Sequence, residues 1–585
     1  MKTTATETNT YLYDSWNMIR RKRWGHRVSA TTLQLTAEKL PDGTVLTRTQ
    51  DEFGRPSGYD LLAGGTTSVS SVHYAYDPLG RFHSVSSSVH SVGSVVEYSY
   101  LPGTDMINGR DYLDPVSRIT NHASRITFDA NRNLITGIEN LHSTNLVSTF
   151  AYTNDELGRR TARIDSASVT NTFGYNIRSE VIAALMGENT FDYVYDPIGN
   201  RMSEIRSLSS VVSTNLYTAN DLNQYIAITN LSSQVSSLSP SYDLDGNMVA
   251  YGDWTFTWDG ENRLIEVASN SVTVVQNQYD YMSRRIMKTT ATATNTFLYD
   301  GWNLLAEVRD QSSEVSTNYY VWGLDLSQSM QGTGGVGGLL MAILDGDAYY
   351  PGYDANGNVT DYTDATGTTV ARYEYDPFGN VSSQSGSMTD DFVYRFSTKY
   401  TDDETGLVYY GFRFYNPELG RWINRDPIEE EGGVNVYMFI NNNGIAAVDY
   451  LGLSKVRTLC CDGVAHKVWT RGWECCGKDK IHTSRQACCD GKPYKFDPRL
   501  PLHANECCKN GKVCKYLRHF ECNQQADWEC FAHCVGSGQI ESAIIKTLCK
   551  AAFLNPWARA ACIASPTIYC GLYCDRLVCC DRTCQ

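Results

Sequence analysis

Cysteine is the residue type most committed to chemistry in this chain, and all 19 cysteines lie between Cys460 and Cys584. Their spacing decides among staple, metal ligand and nucleophile. Doubled cysteines recur in "CCDG" (Cys460, Cys461), "CCGKDK" (Cys475, Cys476), "CCDGKPY" (Cys488, Cys489) and "CCKNGK" (Cys507, Cys508). Neighbouring cysteines cannot usually both ligate one ion comfortably. No C-x2-C pair meets a second matched pair, although five histidines, among them His466, His482 and His533, share the segment. Disulfides are therefore expected in short polar loops, and no metal site is expected. Further on, Cys530 and Cys534 in "WECFAHC" stand at i and i+4, as do Cys570 and Cys574 in "YCGLYC". Each pair shares one helix face, and together they could staple a helical hairpin around the apolar stripe of "ESAIIKTLCKAAFL", which ends at Asn555 and Pro556. So many disulfides imply an oxidising destination, outside the cell or in a periplasm. An odd total leaves one free thiol or one bond to a partner. A Cys nucleophile beside His533 is conceivable, but so cysteine-rich a segment places Cys next to His by chance. No Walker loop, HExxH, GxSxG or dinucleotide fingerprint occurs anywhere. No cofactor is expected, and the tail carries no assignable enzyme class.

The cysteine boundary is also a charge boundary. Ser454 to Gln585 carries a net +7, which leaves −22 of the whole-chain −15 for residues 1–453. An acidic body joined to a basic tail favours their association, or steers a freed tail to anionic partners; an ordinary soluble surface is an equal reading. At 585 residues the chain exceeds one hydrophobic core, which points to several domains or a repeat array. The longest apolar run, "GLLMAIL" from Gly338, is far short of a bilayer-spanning helix. No signal peptide opens the chain, so either export uses another route or the natural start lies upstream.

The body repeats one phrase. "YAYDPLGR" at Tyr74, "FAYTNDELGRR" at Phe150, "FDYVYDPIGNR" at Phe191, "SYDLDGN" at Ser241, "PGYDANGN" at Pro351 and "YEYDPFGN" at Tyr373 share alternating aromatics, then Asp, then Gly three residues on. Each reads as a strand running into a type I turn, with Asp at its first position and, in three of them, Pro at its second. A period near twenty residues predicts one continuous, spiralling antiparallel sheet, so the fold class is mainly β. The opening "MKTTATETNTYLYDSWNM" returns at Met287 as "MKTTATATNTFLYDGWNL", identical at fourteen of eighteen positions. The chain is thus expected to start within a repeat array, leaving an unpaired sheet edge that invites aggregation or completion by another chain. Full enclosure of a 132-residue tail is not expected.

These phrases resemble the YD repeats of the Rhs family, which includes the C components of insecticidal toxin complexes and the teneurins. The resemblance spans roughly residues 1–453 and implies a hollow β-shell. "YVWGLDLSQSMQGTGGVGGLL" at Tyr320 is similar to a segment of the Rhs core, although its glycines precede no helix that could hold phosphate. The stretch from Tyr394 to Leu453 resembles the Rhs-associated core, which in the family plugs one end of the shell and acts as an aspartyl autoprotease. Carried onto this chain, the resemblance implies catalytic Asp426 in "NRDPI" and Asp449 in "VDYLGL", with Arg413 in "GFRFYNP", and a cleavage site between Leu453 and Ser454. Two close carboxylates cannot both ionise easily, so one holds a proton while the other activates water; a guanidinium orients a carboxylate through paired hydrogen bonds. Taken alone, Asp426 would read as another Asp-Pro turn like Asp77 or Asp196. Tyr450 departs from the commoner motif, which has Pro there, and loosens the backbone before the bond. The doubled cysteines are similar to the di-cysteine repeats of galaxin-like extracellular proteins.

The expected organisation is a YD-repeat shell over residues 1–390, an Rhs core over 391–453, a di-cysteine region over 454–520 and a cysteine-rich tail with some helix over 521–585. Two functions fit. One is a secreted, polymorphic-toxin-like carrier that cuts itself after Leu453 and releases the tail. The other is a non-catalytic cell-surface or matrix protein with a stapled adhesion module. Expected partners are the chain's own tail, an immunity protein or a chain completing the shell, and a carbohydrate or cell surface; no nucleic-acid or membrane-spanning signal stands out.

Overall fold

The computed structural model describes residues 37–40, 42–89, 92–232 and 237–453 in full, and elsewhere only the backbone of short strands. The chain divides into two compact units, Met1–Val456 and Arg457–Gln585. The first is built almost wholly of antiparallel strands that pair with their neighbours in sequence. Eighteen strands, from Arg27–Val28 to Tyr225–Asn230, join into a closed barrel, and a second, 14-stranded sheet runs from Ser241–Tyr242 to Val381–Ser385. Among the described residues there is no α-helix, only 3-10 turns such as Phe396–Thr398 and Glu429–Glu431.

The repeated phrase folds as its residue types require. In "DPLG" the Gly80 N–H donates to the Asp77 carbonyl (2.8 Å), closing the turn, and Gly80 takes a φ of 81° that side chains disfavour. The pairing shifts register between Ala75 and Tyr76, because the left-handed residue adds a bulge. The Asp77 carboxylate accepts the N–H groups of Leu79 and Arg81 (both 2.9 Å) and the Arg81 Nε (2.7 Å). At Asp196 and Asp376 the fifth position is Asn, and Asn200 and Asn380 close the same ring.

A second rule links consecutive repeats. The aromatic residue just before the turn Asp donates to the backbone carbonyl that follows the preceding turn: Tyr76 to Pro56 (2.8 Å), Trp258 to Met248 (2.8 Å), Tyr279 to Leu264 (2.6 Å) and Tyr375 to Val359 (2.7 Å). The turn arginine reaches forward, with Arg81 over the Tyr100 ring (4.2 Å) and Arg284 donating to Gly301 O (2.6 Å). The Tyr-Asp pair thus does two jobs: Asp shapes its own turn, and Tyr ties that turn to the one before.

The residues after Ser385 pack back on both sheets. The small sheet Tyr400–Asp402, Leu407–Tyr409, Phe414–Asn416 and Arg421–Trp422 carries an aromatic core in which Tyr415 stacks on Phe439 (3.9 Å) and Trp422 meets Tyr410 edge-on (5.0 Å). Arg160 of the barrel donates to Ile445 O (2.7 Å), Tyr437 to Gly246 O (2.7 Å), and Asp402 pairs with buried Arg285 (2.6 Å) of the second sheet. Contacts so far apart in sequence hold the segment in one pose.

In the second unit the described backbone forms four hairpins, each placing a doubled cysteine at the end of its first strand: Arg457–Cys461, Trp473–Cys476, Gln486–Cys489 and Asn505–Cys508. Each doubled cysteine thus closes the first of two paired antiparallel strands. Cys530, Cys534, Cys570 and Cys574 lie outside the described residues.

Candidate functional site

Arg413, Asp426 and Asp449 meet in the packed core, exposed to only 2%, 6% and 3% respectively. Arg413 immediately precedes the strand Phe414–Asn416, Asp426 follows the edge strand Arg421–Trp422, and Asp449 leads into the last described turn. One guanidinium nitrogen serves both acids, since Arg413 Nη2 lies 2.8 Å from Asp426 Oδ2 and 4.0 Å from Asp449 Oδ2. The other nitrogens anchor backbone: Nη1 donates to Val436 O (3.1 Å) and Nε to Gly452 O. Trp422 lies under the guanidinium at 4.1 Å and excludes water from that side.

Asp426 is a turn residue as well as an ion-pair partner. Its Oδ1 accepts the Ile428 N–H (3.1 Å), and its carbonyl accepts the Glu429 N–H (2.8 Å), as in the Asp-Pro turns of the repeats. The turn reading of this residue therefore holds, and the same carboxylate also pairs with Arg413. At Gly432 a side chain would overlap Asp426 Oδ2, so that carboxylate sits against bare backbone.

Asp449 holds the chain just before the expected cleavage site. Its Oδ1 accepts the N–H groups of Gly452 (2.5 Å) and Leu453 (3.1 Å), while Leu451, at a φ of 56°, folds back so that its carbonyl accepts the Phe412 N–H (3.0 Å). A leucine in the left-handed region is strained, and the burial of its side chain offsets that cost. Ser454 lies outside the described residues.

Burial dominates the electrostatics. It raises the Asp449 pKa to about 7: Arg413 opposes the rise, Asp426 adds to it, and Lys399 opposes it weakly. The Asp426 pKa is also raised by burial, against the pull of Arg413. The site thus pairs an acid that keeps its proton near neutrality with one held beside a cation. Among the described residues no cluster of three His, Cys, Asp or Glu side chains is placed to hold a metal ion.

Residues 155–445 match the Teneurin YD-shell family. The chain is an Rhs-type YD-repeat protein. It is 29% identical over 266 residues to the tRNA3(Ser)-specific nuclease WapA of Bacillus spizizenii, a match covering 44% of this chain and 11% of that protein. It is 30% identical over 251 residues to double-stranded DNA deaminase toxin A of Burkholderia cenocepacia, covering 36% and 17%. To toxin subunit YenC1 of Yersinia entomophaga it is 26% identical over 302 residues, covering 45% and 29%. The match thus spans less than a third of each of these relatives' length.

Two neighbours of this charged cluster carry no signal in the sequence. Lys399 and the backbone carbonyl of Gly452 carry no motif that sets them apart, and only folding brings them to Asp449 and Arg413.

Proposed function

We propose that residues 1–453 form the carrier of a secreted, toxin-like protein, and that its core cuts the chain between Leu453 and Ser454 to free the cysteine-rich region. The observation that carries this reading is the hold of Asp449 on the Leu453 N–H, which fixes a buried carboxyl group one residue from the bond to be cut. Asp426, charged against Arg413, takes a proton from water as the water oxygen attacks the Leu453 carbonyl carbon. Asp449, retaining its proton near neutral pH, gives it to the Ser454 nitrogen as the C–N bond breaks. The products are a Leu453 carboxylate and a Ser454 amine.

Relatives named for a tRNA nuclease, a DNA deaminase and a toxin subunit support a shared shell with differing cargo. The toxin relatives also support an extracellular destination and assembly with other chains. The test is the intact mass of the purified chain beside Asp426→Asn and Asp449→Asn. Wild type is expected as two fragments meeting at Leu453 and Ser454, with both variants whole; an uncut wild type at every pH overturns the reading. A second reading, a structural surface protein, is favoured by one observation: the four successive di-cysteine hairpins repeat one backbone pattern, as a stapled adhesion module would. An uncut chain with no toxicity from the tail would support it.

A further inference from the structure

The barrel and the second sheet meet along a seam that the cleavage chemistry does not use. Ser148 of the barrel donates to Asp361 Oδ2 (2.8 Å), Asn140 donates to Tyr353 O (3.2 Å), and Arg372 reaches back to Val147 O (3.0 Å). Two histidines lie on the same seam. His122, on the strand Thr120–Phe128, and His142, at the end of Ile135–His142, are direct cross-strand partners, with His142 Nδ1 3.2 Å from His122 Nε2. Both rings leave the barrel wall and pack on the second sheet. His122 stacks on Tyr350 at 4.1 Å, and His142 lies against the bare backbone of Gly367, where a Cβ would overlap its ring. Gly367 closes the hairpin turn that begins at Asp364, its N–H donating to the Asp364 carbonyl (3.0 Å).

This geometry tolerates little charge. Of the two facing nitrogens one must donate and the other accept, so the bond survives one added proton and not two. A doubly protonated pair sets two N–H groups and two positive charges against each other, and His122 is only 4% exposed. The surrounding groups offer little relief. Tyr112, 6.4 Å away between ring centres, and Tyr350 carry no charge in acid. The Asp364 carboxylate favours the charged ring, but it already accepts the N–H groups of Thr366 (2.8 Å) and Thr368 (2.9 Å) in its own turn. Arg110, which lines the seam and donates to Leu324 O (3.2 Å), is a further cation. Burial raises the Asp361 pKa, so acid removes that countercharge rather than supplying one.

We propose that His122 and His142 form an acid-released catch between the barrel and the second sheet, closed at neutral pH and opened when the pair takes up its second proton. Burial, and after it the charge of His142, lowers the His122 pKa to about 4, with Asp364 opposing. An opened seam returns the ring to water and to its ordinary value of 6.5. The closed seam is therefore fully favoured above about 6.5; opening gains about tenfold per pH unit as pH falls from there to about 4, and gains no more below it. Neutral surroundings hold the two sheets together here, and a strongly acidic compartment parts them.

The experiment is hydrogen exchange of the full chain, read by mass spectrometry on peptides that span Asp364 to Gly367 and labelled from about pH 7 to about pH 4, with times corrected for the intrinsic rate of amide exchange. Wild type is expected to lose protection about tenfold per pH unit below about 6.5. H122Q is expected to show no such slope. H122F, which keeps a ring on Tyr350, stands in if near-UV circular dichroism at neutral pH shows H122Q unfolded. D364N, which removes the carboxylate of the turn, is expected to keep the slope. A flat wild type, an equal slope in the His122 variant, or a slope lost in D364N and kept in the His122 variant each overturn the proposal.

Discussion

At the scale of residues, the site separates what chemistry needs from what stability prefers. Burial raises the Asp449 pKa in the folded chain to about 7, above the ordinary carboxylate range, so the folded chain binds the extra proton. The stabilisation this brings is complete below the unfolded value and is lost as pH rises through about 7. Asp449→Asn is therefore expected to abolish cleavage, by about 100-fold or more, yet to raise the melting temperature above pH 7, with the gain shrinking toward pH 4. Thermal unfolding across that range checks it against uncut Asp426→Asn as reference. Asp426→Asn behaves oppositely in stability, since it leaves the buried Arg413 without its 2.8 Å partner; a loss of about 3 kcal/mol is expected in denaturant titration.

At the scale of elements, each repeat depends on an aromatic donor reaching back one turn. Tyr375→Phe removes the hydroxyl that satisfies the buried Val359 carbonyl and should cost about 1–3 kcal/mol. Tyr76→Phe makes the same chemical change where the ring is half-exposed, and water can replace the lost donor, so a loss under about 1 kcal/mol is expected. Denaturant midpoints of the two variants, compared with wild type, read the difference directly. Equal losses would mean that the hydroxyls act through the strands rather than through the carbonyls they reach.

At the scale of the whole molecule, the proposed self-cleavage has Asp449, Asp426 and Arg413 act on the chain that carries them. Cleavage is then first order, and its half-time is expected to be unchanged over about a hundredfold dilution, followed by gel densitometry of chain freshly synthesised in a cell-free reaction; a half-time that lengthens with dilution would mean that one copy cuts another.

The strand-turn grammar was legible in the sequence because Asp, Pro, Gly and alternating aromatics act through neighbours a few residues away, and the structure places turns at Asp77, Asp196 and Asp376 as those residues require. The same local signals made Asp426 readable both as a turn residue and, through resemblance, as a site residue. What local signals could not carry was the meeting of Arg413, Asp426 and Asp449 around one guanidinium nitrogen, or the approach of the Gly334 loop and Lys399 to Leu451. Those contacts depend on how the final strands lie across two sheets, held by links such as Arg160 to Ile445 that join positions hundreds of residues apart. Turn chemistry is short-ranged and written into adjacent residues. The burial that raises the Asp449 pKa arises only when the distant aromatic core closes around it and removes the water.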